Sequence, residues 1–201
     1  MQNQTGRQHP LTVEQGAILV SLARRTLAGH FGETDAPADA QHLKMQLSDP
    51  ILQTCCGTFV TLKLNGQLRG CIGSLYANAP IVSGVRDNAL NAAFHDPRFS
   101  PLRKKELDQV HIEVSVLSKP TPLVYTDADH LLSSLRPGID GVIIKKGLTS
   151  ATFLPQVWEQ LPQPESFLSH LCMKAGLPAE GWREGGLTVL VYQVQYFEED
   201  R

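Results

Sequence analysis

Two hydrophobic periods run along this chain. Between Thr12 and about His30, apolar residues fall at Val13, Ala17, Ile18, Val20, Leu22 and Leu27, the spacing of one helix face. Thr12 and Gln15 stand where a capping box would start that helix, and Gly29 or Gly32 where it would stop. Residues 32–40 are small and polar and read as a loop. Residues 41–54 hold no clear period and read as mostly irregular with a short turn. From Gly57 to Leu64 and from Gln67 to Gly73 the period drops to two around Asn65-Gly66, which predicts a hairpin.

The hairpin has two registers to choose from. A two-residue type I′ turn, the usual form of Asn-Gly, would put Arg69 and Cys71 on the face of Val60 and Leu62. A three-residue loop with Gly66 as a bulge shifts the pairing by one. Val60, Leu62, Leu68, Gly70 and Ile72 then share an apolar face, and Thr61, Lys63, Arg69 and Cys71 the other. Because a one-residue slip exchanges the faces, the hydrophobic pattern favours the bulged register.

Pro80 opens a helix to about Phe94 with Ile81, Val85, Ala89, Ala92 and Ala93 as its stripe, and Asp96-Pro97 stops it. Val110 to Ser118 alternates as a half-buried strand. A short helix over Asp127–Leu135 precedes a second hairpin, Gly141–Lys146 and Thr149–Leu154 around Gly147. A helix over Glu165–Ala175, closed by Gly176, and a long strand over Leu187–Phe197 complete the chain. Hairpin, helix and strand thus occur twice, at 57–118 and 141–197, with negligible identity between the halves. Local hairpins make the sheet largely antiparallel, so the fold class is α+β.

At 201 residues, 42% hydrophobic and 19% charged, the chain has the composition of one globular domain of generous size. Its net charge of -2 provides no global basic field for nucleic acid or anionic membrane. The run Arg98, Arg103, Lys104, Lys105 is followed by Glu106 and Asp108 and reads as a solvated face. No apolar run approaches the ~20 residues of a membrane-spanning helix. MQNQTGRQHP has no signal-like stretch, so residues 1–10 are expected to be a disordered tail and 11–198 the domain. The four cysteines show no metal-ligand spacing, and a reduced, cytoplasmic setting is expected, with no metal or cofactor motif. Cys55, Cys56 and Cys172 read as core or helix-packing residues, and Trp158 and Trp182 as core anchors. His111 and Glu113 read as solvated, and Lys145 and Lys146 as charges guarding a hairpin end.

LRGCIGSL, residues 68–75, is where chemistry concentrates. Arg69 two residues before Cys71 on a strand would face the same way, and a guanidinium beside a thiol favours the thiolate. Gly70 and Gly73 leave room for a ligand or another backbone. His95 could serve as a base, with Asp96 or Arg98 orienting it. The plainer alternative is that Cys71 is a small buried side chain, that the glycines fit a close helix, and that Asp96 and Arg98 form a local ion pair.

GTFVTLKLNGQLRGCIGSL, NALNAAFHDPRFSPL, IEVSVLS, GVIIKKG, ATFLPQVWEQLP and FLSHLCMKAGL follow one another in order. Together they resemble the AMMECR domain family, whose bacterial and archaeal members are called AmmeMemoRadiSam system protein A. The resemblance spans about residues 12–197; the pair Cys55-Cys56 lies outside the family pattern. It implies a larger and a smaller lobe around a barrel-like sheet, with LRGCIG near a cleft. It also implies two partners, a Memo-type protein, similar to non-haem iron dioxygenases, and a radical SAM protein. Two readings of function follow. In one, the chain is a substrate-binding or adaptor component of that system, with Arg69, Gly70, Gly73, Asp96 and Arg98 lining the site for an unknown small molecule or peptide. In the other it is an enzyme using Cys71 as nucleophile and His95 as base on a small anionic or peptide-like substrate. A nucleic-acid-associated regulator is the third and least favoured by the charge.

Overall fold

The computed structural model describes residues 10–34 and 36–199, and the expected tail over 1–10 lies, apart from Pro10, outside them. The described elements are α1 (Val13–His30), α2 (Pro37–Gln46), β1 (Thr58–Leu64), β2 (Gln67–Ser74), α3 (Ile81–Phe94), β3 (Val110–Leu117) and β4 (Thr121–Pro122). They continue with α4 (Ala128–Ser134), β5 (Gly141–Lys146), β6 (Thr149–Phe153), α5 (Pro164–Lys174), β7 (Thr188–Tyr192) and β8 (Val194–Glu198). Among the described residues no helix is long and apolar enough to cross a membrane.

The strands form two four-stranded sheets, ordered β2-β1-β3-β8 and β4-β7-β5-β6. This α+β architecture is the one expected, except that the sheets do not close into a barrel. The described residues divide into two compact units, one holding those up to Leu117 and from Gln195, the other Ser118–Val194.

In the first unit, α1 begins with the capping box of Thr12 and Gln15. It ends in a Schellman motif, with Glu33 N–H on Ala28 O and Gly32, at φ 81°, on Gly29 O. Its buried stripe runs Gly16, Leu19, Val20, Ala23, Leu27. Val13 and Ala17, assigned to that face from sequence, are exposed. α1 and α3 cover one face of the first sheet, burying Val60, Leu62, Ile112 and Val114 among Leu19, Val85, Ala89 and Ala92. α2 replaces the expected loop and irregular stretch. Only its Leu43 is buried, so no apolar period marks it.

In the second unit, α5 packs on the second sheet, with Phe167, Leu168, Leu171 and Cys172 against Val142, Ile144, Trp158 and Trp182. The Trp158 and Phe167 rings stack at 3.7 Å. The expected single strand over 187–197 is two strands. β7 pairs with β5, then the chain changes sheets at Gln193, whose N–H donates to Ser118 Oγ, and β8 joins β3.

The hairpin–helix–strand repetition recurs as topology. In each unit the first hairpin strand lies between the second and the strand after the helix: β2-β1-β3 and β6-β5-β7. Counted from the two turns, Leu62–Gly70 and Ile144–Ala151 are equivalent cross-strand pairs, as are Thr61–Cys71 and Ile143–Thr152.

Candidate functional site

The site is built on β2, an edge strand. Asn65 and Gly66 both have positive φ, 52° and 76°, and Leu64 faces Gln67, so the turn is the two-residue kind. The pairing still shifts by one, because Lys63 faces Leu68 while Leu62 faces Gly70, leaving Arg69 as an extra residue. The bulge therefore sits at Arg69, not at Gly66. Cys71 faces Thr61 as the favoured register required, but Leu68 is exposed instead of joining the apolar face.

That bulge separates Arg69 from Cys71. Arg69 Nε donates to Glu106 Oε1 at 3.0 Å and its Nη1 to Ser100 O at 2.9 Å, fastening the 100–106 segment to β2. These hydrogen bonds hold the Glu106 carboxyl below its ordinary value against the opposing effect of burial.

The cation at Cys71 is Arg98. Cys71 N–H donates to Asp96 Oδ2 at 2.9 Å, and Arg98 Nη2 donates to Cys71 O at 3.1 Å and to Asp96 Oδ2 at 2.7 Å. The Thr61 hydroxyl donates to Cys71 Sγ at 3.3 Å. Asp96, with a side chain 1% exposed, is held far below the usual carboxylate range, first by hydrogen bonds from Arg98, with burial opposing and the Cys71 amide assisting. Arg98 is raised chiefly by Asp96, and the Cys71 side chain, against which its guanidinium lies, adds to the rise. The ion pair thus stands in for a neighbouring strand, satisfying both backbone groups of an edge residue.

The remaining predicted residues are placed differently. His95, exposed at the end of α3, points Nδ1 at Asn91 Oδ1, 3.1 Å away, and has no described hydrogen bond to Cys71. Gly70 and Gly73 are occupied by the protein itself. A Cβ on Gly70 would lie 2.1 Å from Ala92 O, and one on Gly73 2.2 Å from the Phe59 ring. Cys55 is exposed, bridging to Pro80, contrary to the core position expected; Cys56 and Cys172 are buried.

Cys71 lies on the face of the first sheet that α1 and α3 do not cover, since its partner Thr61 alternates with the buried Val60 and Leu62. Thr61 also faces Glu113, and Lys63 faces His111. Lys63 Nζ meets Glu113 Oε2 at 2.9 Å, which raises its pKa while burial opposes. His111 Nε2 lies 3.2 Å from Glu198 Oε2. His111 and Glu113 are thus half-buried and paired, not freely solvated. Thr61 and Lys63 share this face with Cys71 as the favoured register required, and sequence reasoning missed Glu198. Glu198 lies one residue past the long strand expected over 187–197, into which β8 was merged.

The AMMECR1 family model matches residues 20–197. A protein of Thermofilum pendens is 37% identical over 207 residues, covering 94% of this chain and 92% of its own. One of Methanothermobacter thermautotrophicus is 36% identical over 197 residues, covering 95% and 97%. The crystal structure of the uncharacterized protein PH0010 from Pyrococcus horikoshii superposes with a TM-score of 0.75 at 33% identity over 94% of each chain.

Proposed function

This chain belongs to the AMMECR1 family, and from that premise we propose that it is the substrate-binding or adaptor component of an AmmeMemoRadiSam-type system. It presents the LRGCIG segment to a Memo-type protein and a radical SAM protein. The observation that supports this reading is the way Cys71 is held. Its amide, carbonyl and sulfur each have a partner in Asp96, Arg98 and Thr61, so a partly buried thiol stands in one fixed position on the sheet face away from α1 and α3. Such fixing suits presentation to a ligand or partner.

The test is co-purification of the three proteins, with parent and Cys71→Ser chains. Stable association, with loss of the system's product on Cys71→Ser, supports the reading. Failure to associate, together with turnover by this chain alone, overturns it. A second reading, Cys71 as a nucleophile, draws on the Thr61 hydroxyl that donates to its sulfur and the Arg98 guanidinium that donates to its carbonyl. In that reading His95 would have to leave Asn91 to act as base. Single-turnover labelling of Cys71 by substrate distinguishes the two.

A further inference from the structure

The outer edge of β2 is guarded unevenly. In an antiparallel pair, alternate residues turn their N–H and C=O away from the partner strand. Cys71 is one of them, since its N–H and C=O go to Asp96 and Arg98. From there the register runs without a break through Phe59–Gly73 to Thr58–Ser74. Gly73 therefore turns the same two groups outward, on a strand that has no neighbour on that side. Among the described residues neither group has a hydrogen-bond partner. The second hairpin leaves no such opening. There Thr152, the counterpart of Cys71, gives its carbonyl to Lys174 Nζ at 3.0 Å. The counterpart of Gly73 is Leu154, which lies past the end of β6 and leads into the turn opened by Pro155. β2 instead continues beyond its guarded residue to Ser74.

An open N–H and C=O on one edge residue match one residue of an extended chain, which offers the complementary carbonyl and amide. The molecule contains a match of this kind at Leu11, whose N–H and C=O are taken by the Gln195 carboxamide at 2.8 and 3.0 Å. Along the edge, Gly73 is bracketed by two exposed side chains. Arg98, at Cys71, is 54% exposed and its Nη1 is free of described hydrogen bonds. Tyr76, past the end of β2, is 60% exposed. Arginine and tyrosine are among the side chains that most often anchor a bound partner.

We propose that the edge of β2 at Gly73 receives an extended peptide, which adds to the sheet as a short strand. One of its residues exchanges both main-chain hydrogen bonds with Gly73, and the peptide runs past the Cys71 thiol. This rests on the reading of the LRGCIG segment as a substrate-holding site and names the class of substrate it holds.

Disulfide tethering at Cys71 tests this. The amide probe is N-acetyl-alanyl-alanine joined to 2-aminoethanethiol, and the ester probe has lactate in place of both alanines, so that oxygen replaces each pairing N–H. Both are offered in equal amounts to native protein as mixed disulfides with 2-mercaptoethanol, under excess 2-mercaptoethanol. The Cys71 thiolate attacks the mixed disulfide, an S–S bond forms to the probe, and 2-mercaptoethanol leaves as its thiolate with the electron pair. At equilibrium, site-resolved mass spectrometry should find the amide on Cys71 at least about fivefold over the ester. The exposed Cys55 should show no preference. By NMR, the Gly73 amide of the free protein should exchange with solvent at least about tenfold faster than that of Ile72, and should slow once the amide probe is attached. Equal occupancy by amide and ester, a preference shared by Cys55, a Gly73 amide already protected in the free protein, or a native Cys71 that does not exchange would each overturn the peptide site. Amide preference in a chain that fails to associate with its two partners would sink the system role alone. Association without that preference would sink the peptide alone.

Discussion

Gly70 shows how a single missing atom positions the site. The carbonyl of Ala92 rests 2.1 Å from where its Cβ would stand, and backbone cannot move aside as a flexible side chain can. Gly70→Ala should therefore destabilise the protein by about 1–3 kcal/mol in urea titrations. Gly29→Ala, within α1 and with open space around the added methyl, should be neutral or stabilising by up to about 1 kcal/mol. Equal effects at the two positions would contradict the packing described. Asp96 gives a pH signature. Its folded value lies well below the ~3.9 of an unfolded aspartate. A depressed folded value contributes its full stability above the unfolded one, and that stability is lost as pH falls through the folded one. Asp96→Asn should be less stable than the parent by about 2–3 kcal/mol at pH 7. The gap should persist at pH 5 and narrow only below about pH 4. A gap already closed at pH 5 would show that Asp96 titrates normally.

At the scale of elements, the connector after α3 acts as cover for an edge strand. Arg98 donates to Cys71 O on β2, and Lys174, at the end of α5, donates to Thr152 O on β6, the equivalent position of the second hairpin. Arg69 anchors the other end of the connector through a forked contact with Glu106, geometry that a lysine cannot reproduce. Arg69→Lys should speed amide exchange across residues 100–106 while leaving β1 and β3 protected, and hydrogen-exchange mass spectrometry reads this directly. Much of this architecture was legible beforehand because period and punctuation agreed. The α1 capping box, Pro80 before α3, Gly176 after α5 and the alternation of β3 all mark themselves. α2 was not legible because it buries one side chain and lacks a polar N-cap, although Pro37 at its first turn was a usable sign. The break at Gln193 has no glycine or proline to announce it. The site was half legible. Cys71, Asp96 and Arg98 do come together, whereas the bulge that turns Arg69 away depends on pairing between strands, which spacing along one strand cannot reveal.

Across the whole molecule, each unit has its own core, and both tryptophans lie in the second. Phe167→Ala removes the ring stacked on Trp158 and should shift the native emission while destabilising by about 3–5 kcal/mol. Val60→Ala, in the first core, should destabilise without changing that emission. The two similar sheets differ in chemistry, since Cys71 and its charged row belong to the first. The four cysteines report on both units at once, so their labelling tests the presentation of Cys71 most directly. Under native conditions with iodoacetamide, Cys55 and Cys71 should be modified, Cys71 the more slowly, while Cys56 and Cys172 should wait for unfolding. If Cys71 also waits for unfolding, the thiol is packing material and the face around it is not a site.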